Sequence, residues 1–360
     1  MNRRRRTEPM TDLLQEDINR LADKDSLFRP FCNKTVLITG ASGLIGSLLV
    51  KSLLRYGENN ETNIRVIAMA RREEKARAVF AGCLENENLK IICQDITDPV
   101  DVEEPVDYII HGASPTGSRY FVEHPAETID GIITGTRNVL DLARRKKTSG
   151  VVFLSSLEVY GKPAGDGSSV ALVSEKDSGY IDTMDVRSSY SEGKRMAETL
   201  CAAYASEYGV PVKILRLTQT FGPGVSYDDG RVFAEFARCG AEGRDIILHT
   251  KGETVRNYCY TVDAATAVLT VLEKGAGGQA YNCASRNTTF SIKEMADLFS
   301  SMAGEGTNVI IKDDVTSTMG YNPVMKIELD TRKLEELGWR SEYQMKEMTE
   351  RLFSYMKGQR

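Results

Sequence analysis

One stretch decides the fold: Lys34-Thr-Val-Leu-Ile-Thr-Gly40-Ala-Ser-Gly43-Leu-Ile-Gly46-Ser-Leu-Leu-Val50. Its first part is short, apolar and β-branched, which is typical of a strand covered on both faces. Three glycines follow at once, and leucines then recur at helical spacing. Such a strand, glycine turn and helix N-terminus can bind a phosphate, because glycines let backbone N–H groups approach the anion and the helix dipole favours its charge. The stretch therefore predicts a dinucleotide-binding turn, whose contact residues are Gly40, Gly43, Leu44, Ile45 and Gly46.

The rest of the chain continues this alternation of strand and helix. Apolar runs predict further strands at residues 64–68, 89–93, 106–110 and 151–154, and helical periodicity predicts a long helix over residues 125–146. Strands that alternate with amphipathic helices at these lengths form a parallel sheet with helices on both faces. The sequence therefore predicts an α/β fold with a doubly wound parallel sheet.

Composition and charge limit the classes of partner. The 360 residues are 41% apolar and 27% charged, which is ordinary for a globular protein. The net charge of −5 gives no general attraction to nucleic acid or to an anionic membrane, and no apolar run is long enough to span a bilayer. Seven scattered cysteines without a Cys-x-x-Cys pair favour reduced thiols and a cytoplasmic location, and three histidines without ligand spacing predict no metal site.

The N-terminal part is predicted to be an extension of the first domain. The run Met1-Asn-Arg-Arg-Arg-Arg6 is followed by no apolar core, so it is not a secretory signal, and a frayed tail is favoured over a nucleic-acid arm. Residues 11–28 carry leucine and isoleucine at helical spacing after Thr11, which is a suitable N-cap residue. We expect this helix to pack against the outside of the first domain.

The end of the second predicted strand distinguishes two cofactors. In proteins that bind NAD, an acidic residue near this strand end binds the ribose 2′-hydroxyl. Here the strand ends in Arg71 and Arg72, whose guanidiniums suit the extra 2′-phosphate of NADP. The alternative is that both arginines only begin a charged helix, as Glu73, Glu74 and Lys75 indicate. We expect a preference for NADP, or acceptance of both NADP and NAD.

A tyrosine and a lysine mark the predicted chemistry. Tyr190 and Lys194 lie in a helix predicted to continue to about Tyr208, and their spacing puts them on one helix face. A nearby ammonium stabilises a phenolate and lowers the tyrosine pKa towards the range of general acid–base catalysis. Ser156 follows the fifth predicted strand and could hydrogen-bond the same substrate hydroxyl. Tyr-x-x-x-Lys pairs are also common on exposed helices, but the preceding Ser-Ser and the glycine turn favour a catalytic pair.

Together these motifs resemble the extended short-chain dehydrogenase/reductase family, which contains nucleotide-sugar epimerases, dehydratases and decarboxylases. Besides the glycine turn and the tyrosine–lysine pair, the resemblance rests on Asp95-Ile96, His111-Gly-Ala-Ser114 and Ser155-Ser156-x-Glu158-Val-Tyr-Gly161. It covers residues 34–339. Within the family, the UDP-glucuronate decarboxylase group is the most similar, with strings that match residues 187–195, 220–223 and 229–232.

The resemblance implies catalytic roles for four residues. Tyr190 would be the base that deprotonates a sugar hydroxyl, and Lys194 would bind the nicotinamide ribose and depress the pKa of Tyr190. Ser156 would orient the reacting oxygen, and Glu158 would act on the sugar after its oxidation. For Glu158 the alternative is a loop carboxylate that is paired with a neighbouring arginine.

The same resemblance implies the contacts to the cofactor and to the substrate. Asp95 and Ile96 would line the adenine pocket, and Ala113 would lie on the nicotinamide side. Two arginines would neutralise the substrate diphosphate, where bidentate guanidiniums suit the geometry. The substrate contacts implied in this way are Arg187, Gln219, Arg231 and Arg256, of which Arg231 and Arg256 bind the diphosphate.

The activity implied is that of an NAD(P)-dependent enzyme that modifies a nucleotide-activated sugar through hydride transfer and a keto intermediate. Decarboxylation, dehydration or epimerisation could follow the oxidation. Three departures from the family leave the substrate open: Ile132 and Gln219 replace asparagines, and residues 115–124 lack the decarboxylase pattern. The alternative is an NADPH-dependent reductase of a nucleotide-linked ketose, such as a CDP-keto sugar. A cofactor-sensing regulator is less favoured, because it would be expected to lose the tyrosine–lysine pair.

Domain division and assembly follow the same resemblance. Residues 1–33 would be an N-terminal extension, residues 34–222 mainly an NAD(P)-binding Rossmann domain, and residues 223–360 mainly a smaller substrate-binding lobe with interleaved segments. A homodimer is expected, because relatives often pair the helices that begin near residues 126 and 190 into a four-helix bundle. The apolar residues expected at the interface on these helices are Ile132, Val139, Leu142, Met196, Leu200 and Tyr204. The alternative is that these residues are buried against the sheet.

Overall fold

A seven-stranded parallel sheet lies at the centre of the computed structural model, which describes residues 12–163, 169–313 and 324–360. Within these residues the strands are β1 (Thr35–Thr39), β2 (Arg65–Ala70), β3 (Leu89–Cys93), β4 (Tyr108–His111), β5 (Gly150–Ser156), β6 (Ala171–Val173), β7 (Val212–Leu217), β8 (Gln219–Phe221), β9 (Ile246–Leu248), β10 (Val255–Arg256), β11 (Tyr258–Tyr260), β12 (Ala280–Cys283), β13 (Phe290–Ser291), β14 (Val309–Ile311) and β15 (Ile327–Leu329). The central sheet has the order β12-β7-β5-β4-β1-β2-β3, and its neighbouring strands are parallel. Because the strand order reverses between β1 and β4, their carboxyl ends open a crevice at that point.

Helices cover both faces of this sheet, and the predicted fold class is confirmed. The helices are α1 (Leu13–Ala22), α2 (Asp25–Phe28), α3 (Leu44–Asn59), α4 (Glu73–Val79), α5 (Ser118–Glu123), α6 (Pro125–Lys146), α7 (Ser188–Tyr208), α8 (Val232–Glu242), α9 (Thr261–Lys274), α10 (Ile292–Ala303), α11 (Arg332–Glu336) and α12 (Met345–Gly358). Helix α6 has the predicted bounds. The predicted strands correspond to β1 to β5, with ends that differ by at most two residues.

Strand β1 shows why the central run had to be apolar throughout. Val36 and Ile38 lie in the hydrophobic core on one face of the sheet, and Leu37 lies in the core on the other. Successive side chains of a strand point to opposite faces, so a strand covered on both faces needs an unbroken apolar run. Residues of α3 and α9 complete the first core, and residues of α6 and α7 complete the second.

The predicted N-terminal helix is two helices. The backbone leaves the helical region at Lys24, with φ −85° and ψ 68°, which separates α1 from α2. The predicted cap Thr11 and the arginine run lie outside the described residues. Within them, Asp12 caps α1 by accepting a hydrogen bond from the Gln15 N–H at 3.2 Å.

A buried carboxylate ties α1 to distant parts of the chain. Asp17 accepts hydrogen bonds from the Tyr260 hydroxyl at 2.6 Å and from Arg351 Nη2 at 2.7 Å. These partners belong to β11 and α12. The N-terminal extension is therefore fixed against the C-terminal half of the protein.

The C-terminal half contributes both to the central sheet and to a separate group of small elements. Strand β12 pairs with β7 at the edge of the sheet, and α9 packs on its face. The described residues also form two-stranded sheets, which pair β6 with β15, β8 with β11, β9 with β14 and β10 with β13. Residues 163–178, which we predicted to form a surface loop, contain β6, because that segment pairs with β15; residues 164–168 lie outside the described residues.

Candidate active site

A cleft of about 820 Å³ opens at the carboxyl ends of the central strands, next to the point where the strand order reverses. This is the place where parallel α/β sheets bind ligands. Many predicted site residues line it: Gly40, Gly43, Leu44, Ile45, Gly46, Arg71, Arg72, Asp95, Ile96, Ala113, Ser156, Glu158, Tyr190, Lys194, Gln219, Arg231 and Arg256. Residues from widely separated parts of the chain thus meet in one cavity.

The glycine turn between β1 and α3 can accept a pyrophosphate. Gly40 has a φ of +67°, and a Cβ there would lie 2.7 Å from the carbonyl oxygen of Gly112. A Cβ on Gly46 would lie 2.5 Å from the oxygen of Gly40, so this glycine allows the helix to pack on the turn. Gly43 is the N-cap of α3, whose first N–H groups have no partner within the helix. The turn therefore fits the diphosphate of a dinucleotide.

The arginines after β2 both line the cleft and begin a helix. Arg71 and Arg72 are exposed, and Arg72 is the N-cap of α4. The two interpretations made from the sequence are therefore compatible. Lys75 also lines the cleft, and it was missed as a site residue because it was assigned to the charged helix. Burial lowers the pKa of Lys75, and the Arg72 charge lowers it further.

Asp95 and Ile96 form the neighbouring wall at the end of β3. The Asp95 carboxylate accepts hydrogen bonds from the Thr97 N–H at 3.0 Å and from the Thr97 hydroxyl at 2.8 Å. The backbone hydrogen bond from Thr97 is the main reason why the pKa of Asp95 is lowered, and the charge of Arg71 contributes. Asp95 is thus an ionised, rigid acceptor beside the arginines.

The end of β5 presents a serine and a glutamate to the cleft. Ser156 Oγ accepts a hydrogen bond from the Glu158 N–H at 3.2 Å, which begins a short 3₁₀ turn. The Glu158 carboxylate is bound by both terminal nitrogens of Arg187, at 2.9 and 3.1 Å, and by the Ser191 hydroxyl at 2.9 Å. Glu158 is therefore paired with an arginine, which was the alternative interpretation from the sequence. It also lines the cleft.

Arg187 is not among the described residues that line the cleft. Its guanidinium lies behind Glu158 and over the Phe121 ring, 4.8 Å from the ring centroid. A bidentate ion pair of this kind fixes the orientation of the carboxylate. Arg187 thus orients Glu158, and the direct substrate contact predicted for Arg187 stays a prediction.

Tyr190 and Lys194 share a face of α7, as predicted, but their electrostatics differ from the prediction. Burial and the Glu158 charge raise the pKa of Tyr190, while a hydrogen bond from Ser156 lowers it. Lys194 Nζ lies 5.8 Å from the Tyr190 ring centroid and donates to the Leu154 carbonyl at 2.8 Å. The expected lowering of the tyrosine pKa is therefore wrong for this structure, because burial outweighs the groups that lower it, which are Ser156, Arg187 and Arg231. Burial also lowers the pKa of Lys194 to about 8.

A buried histidine below the cleft was not predicted to have a role. His111 lies within hydrogen-bonding distance of the Thr39 hydroxyl, at 2.7 Å, and of the Thr136 hydroxyl, at 3.2 Å. Burial and the Lys194 charge lower the pKa of His111 to about 3, so the ring is neutral. Thr39 Oγ1 also accepts the Ala113 N–H at 3.2 Å. His111 thus holds the turn that carries Ala113, and only its place in the His-Gly-Ala-Ser motif could have indicated this.

The far end of the cleft has polar atoms without a protein partner. Gln219 Oε1 and Arg256 Nε are buried, and neither forms a hydrogen bond within the described part of the chain. Arg231 forms an ion pair with Asp229 at 2.6 Å. An acceptor, a donor and a second guanidinium therefore face the same cavity. Buried polar atoms are costly without a partner, so this end of the cleft suits a ligand that offers both an anionic group to the guanidiniums and a hydrogen-bond donor to Gln219.

Two further findings concern other kinds of site. Among the described residues, no group of three or more His, Cys, Asp or Glu side chains is arranged to hold a metal ion. None of the described helices combines the length and the hydropathy that a membrane-spanning helix needs.

Comparisons with known proteins give consistent matches. The model of the NAD dependent epimerase/dehydratase family matches residues 36–284. UDP-glucuronic acid decarboxylase 6 of Arabidopsis thaliana is 30% identical over 326 residues, which cover 88% of this chain and 86% of that protein. In fold, the chain is similar to UDP-glucose 4-epimerase of Thermotoga maritima, with a TM-score of 0.75, 22% identity and coverage of 90% of this chain and 99% of that one. It is also similar to a dTDP-glucose 4,6-dehydratase of Streptomyces venezuelae, with a TM-score of 0.76, 22% identity and coverage of 90% and 97%.

Proposed function

The chain belongs to the NAD-dependent epimerase/dehydratase family, and from this premise we propose that it modifies a nucleotide-activated sugar through a transient keto intermediate. A bound nicotinamide cofactor would accept and return hydride. The observation that carries the proposal is the arrangement of the cleft. Tyr190, Ser156, Glu158 and Lys194 lie in the same cavity as the glycine turn and the two arginines at its far end.

Each residue has a task in this proposal. The glycine turn and α3 N-terminus would hold the cofactor diphosphate, and Asp95 and Ile96 would contact its adenosine half. Arg231 and Arg256 would bind the diphosphate of the substrate, which satisfies the unpartnered Arg256 Nε. These contacts would hold the sugar between the two ends of the cleft, close to β5.

The chemical steps need a proton acceptor and an orienting group. The Tyr190 phenol would exchange the proton of the sugar hydroxyl, and the Ser156 hydroxyl would orient that oxygen. Lys194 would contribute positive charge from below, as its ammonium is held by the Leu154 carbonyl. Glu158, fixed by Arg187 and Ser191, would act on the oxidised sugar. Because the phenol would exchange the proton and a separate carboxylate would act on the sugar, a second reaction could follow the oxidation.

We propose UDP-glucuronic acid as the first substrate to test, with decarboxylation of the keto intermediate as the reaction. Supporting this choice, the curated relative that is 30% identical over most of the chain is a UDP-glucuronic acid decarboxylase. The residues that depart from the decarboxylase pattern, Ile132 and Gln219, leave dehydration and epimerisation as the other outcomes. The alternative NADPH-dependent reductase is not favoured by these relatives.

The test is an incubation of the purified protein with UDP-glucuronic acid, UDP-glucose, CDP-glucose and dTDP-glucose, analysed by mass spectrometry and by NADH absorbance. Loss of carbon dioxide from UDP-glucuronic acid without net NADH formation supports the proposal. Loss of water, or epimerisation without a change of mass, would assign the other reactions of the class. In a parallel incubation with NADPH and a nucleotide-linked keto sugar, stoichiometric NADPH consumption would instead establish the reductase. No conversion of any sugar would contradict the proposal.

We also propose a homodimer formed through α6 and α7. Exposed apolar side chains lie on these helices: Ile129 is 46% exposed and Met196 is 57% exposed. The expected set needs a correction, because Ile132, Val139 and Leu142 are buried in the core beside the sheet. Of the predicted residues, Met196, Leu200 and Tyr204 retain exposed surface. We propose a cytoplasmic location too, supported by seven cysteines that are all free thiols.

A further inference from the structure

Below the proposed catalytic residues lies a buried ion pair that the roles above leave unused. Glu198 follows Lys194 by one helical turn on α7, and its side chain is only 11% exposed. Arg216 on β7 binds both carboxylate oxygens of Glu198, with Nη2 to Oε2 at 2.6 Å and Nε to Oε1 at 3.0 Å. A buried, bidentate ion pair has a fixed geometry.

The pair holds the strand end that carries Ser156. The Ser155 hydroxyl donates to Glu198 Oε1 at 2.5 Å, and Lys194 Nζ donates to the carbonyl of Leu154 at 2.8 Å. Consecutive residues of β5 are thus bound by consecutive turns of α7. Since side chains alternate along a strand, the bond that fixes the Ser155 side chain also sets the direction of the Ser156 side chain at the edge of the cleft.

The same network extends to the C-terminal half. Arg216 Nη1 donates to the Tyr160 hydroxyl at 3.0 Å, and that hydroxyl donates to Asn282 Oδ1 at 2.5 Å. Asn282 Nδ2 in turn donates to the carbonyls of Val173, at 3.1 Å, and Asp330, at 3.2 Å. Side chains of β5, α7, β7 and β12 are therefore linked with the ends of β6 and β15.

We infer that Glu198 is a positioning residue of the proposed active site: through Ser155 and Arg216 it fixes the end of β5, and its negative charge keeps Lys194 protonated. The expected effect on turnover rests on the proposed function, whereas the expected effect on the titration of Lys194 does not.

The charged groups around Lys194 support the proposed effect of Glu198 on its protonation. On its own helix Lys194 interacts with Glu198 and Cys201, and from β4 it faces the neutral His111. Burial lowers the pKa of Lys194, whereas Glu198 raises it. Because burial also raises the pKa of Cys201, that thiol is uncharged at neutral pH. Glu198, one helical turn away and itself bound by Arg216, is thus the carboxylate that favours the protonated form of Lys194. Without this charge, burial would release the lysine proton at a lower pH.

A direct test is NMR of protein labelled with ¹³C at lysine Cε, with the Lys194 signal assigned by its loss in Lys194→Met. In Glu198→Gln, which keeps the shape and the acceptor oxygen, Lys194 should titrate about one pH unit lower than in the unmodified protein. Glu207→Gln, at an exposed position of the same helix, is the matched control and should leave the midpoint unchanged. An unchanged midpoint in Glu198→Gln would overturn the charge role.

Ser155→Ala tests the positioning role separately, and it covers the case in which Glu198→Gln does not fold. This variant keeps both charges and removes one hydrogen bond. Turnover of the nucleotide sugar should fall about tenfold, with the Lys194 midpoint unchanged and little change in KM. Turnover equal to that of the unmodified protein would refute the positioning role. If no sugar is converted by any variant, the proposed function fails, while the NMR midpoints still decide the role of Glu198.

Discussion

Tyr190 holds its proton at neutral pH in this structure, because burial and the Glu158 carboxylate both raise its pKa. Arg187 and Arg231 are the cations that lower the pKa of Tyr190. The ring is stacked on Phe121, with centroids 4.3 Å apart, so its position is rigid. A protonated, fixed phenol suits proton donation to a keto oxygen. In the proposed function it must first lose its own proton before it can take one from the sugar hydroxyl.

Replacing this phenol should abolish most of the turnover. In Tyr190→Phe the ring and its stacking remain, but the exchangeable proton is lost, so kcat should fall by about 10²-fold or more. Tyr208→Phe, at an exposed tyrosine of the same helix, serves as control and should retain full turnover. Comparable kcat values for Tyr190→Phe and the unmodified protein would contradict the assignment.

We expect the guanidiniums of Arg71 and Arg72, beyond β2, to influence the choice between NADP and NAD. Replacing Arg71 and Arg72 by alanine removes charge-assisted hydrogen bonds, each worth about 1.5–3 kcal/mol, so NADP(H) affinity should fall roughly tenfold or more. NAD(H) affinity should change little, since NAD offers only a neutral hydroxyl there. Arg77→Ala is the matched control, because Arg77 lies on the same helix and is paired with Glu73. Titration of cofactor fluorescence measures both affinities, and equal losses for the two cofactors would refute NADP recognition.

At the scale of elements, the turn between β1 and α3 gives a sharp prediction. Gly40→Ala should impair both folding stability and cofactor binding, because its φ of +67° is strained for alanine and its Cβ would meet Gly112 at 2.7 Å. Gly209→Ala measures the backbone strain alone, because Gly209 has the same φ and a Cβ there would contact nothing within 4 Å. Thermal unfolding should show a loss of about 1 kcal/mol for Gly209→Ala and clearly more for Gly40→Ala. Equal losses would mean that the close approach has no effect.

Elements encoded by local patterns could be predicted from the sequence, and those made by distant pairings could not. The β1–turn–α3 unit, α6 and the first five strands follow from apolar periodicity and glycine, which act over a few residues. In contrast, β6 forms only because its residues pair with β15, about 150 positions later. The same limit applies to the site. The hydrogen bonds of His111 depend on tertiary packing, so the sequence motif could not reveal them, and for Glu158 the sequence offered an arginine partner without showing that it is Arg187.

The assembly can be tested through the exposed face of α6 and α7. Light scattering of the unmodified protein at micromolar concentration should give the mass of a dimer. Met196→Glu would bury a charge in the proposed interface, so it should give a monomer. Leu172→Glu is the control, since Leu172 is 60% exposed on β6 and lies outside this face. A monomer mass for the unmodified protein would rule out the dimer.

The stability of the whole molecule should depend on Asp17. Burial raises the pKa of Asp17 to about 6, well above its value in an unfolded chain. The folded state therefore keeps a proton that the unfolded state releases, so the stabilisation by this carboxyl is full below pH ~4 and is lost as the pH rises through about 6. The difference in unfolding free energy between the unmodified protein and Asp17→Asn should fall by roughly 2 kcal/mol from pH 4 to pH 7. Asp23→Asn, at an exposed position after α1, should show no such trend, and a flat curve for Asp17→Asn would refute the effect.

The bonds of Asp17 also set an order of events during synthesis. Arg351 follows Asp17 by 334 residues, and Tyr260 follows it by 243. At about 5–20 residues per second, the ribosome needs roughly 15–70 seconds to make Arg351 after Asp17. During that time α1 can form as a helix, but its buried carboxylate has no guanidinium to pair with. The Asp17–Arg351 ion pair can therefore form only after α12 has been made, whereas the apolar face of α1 can pack on α3 before then.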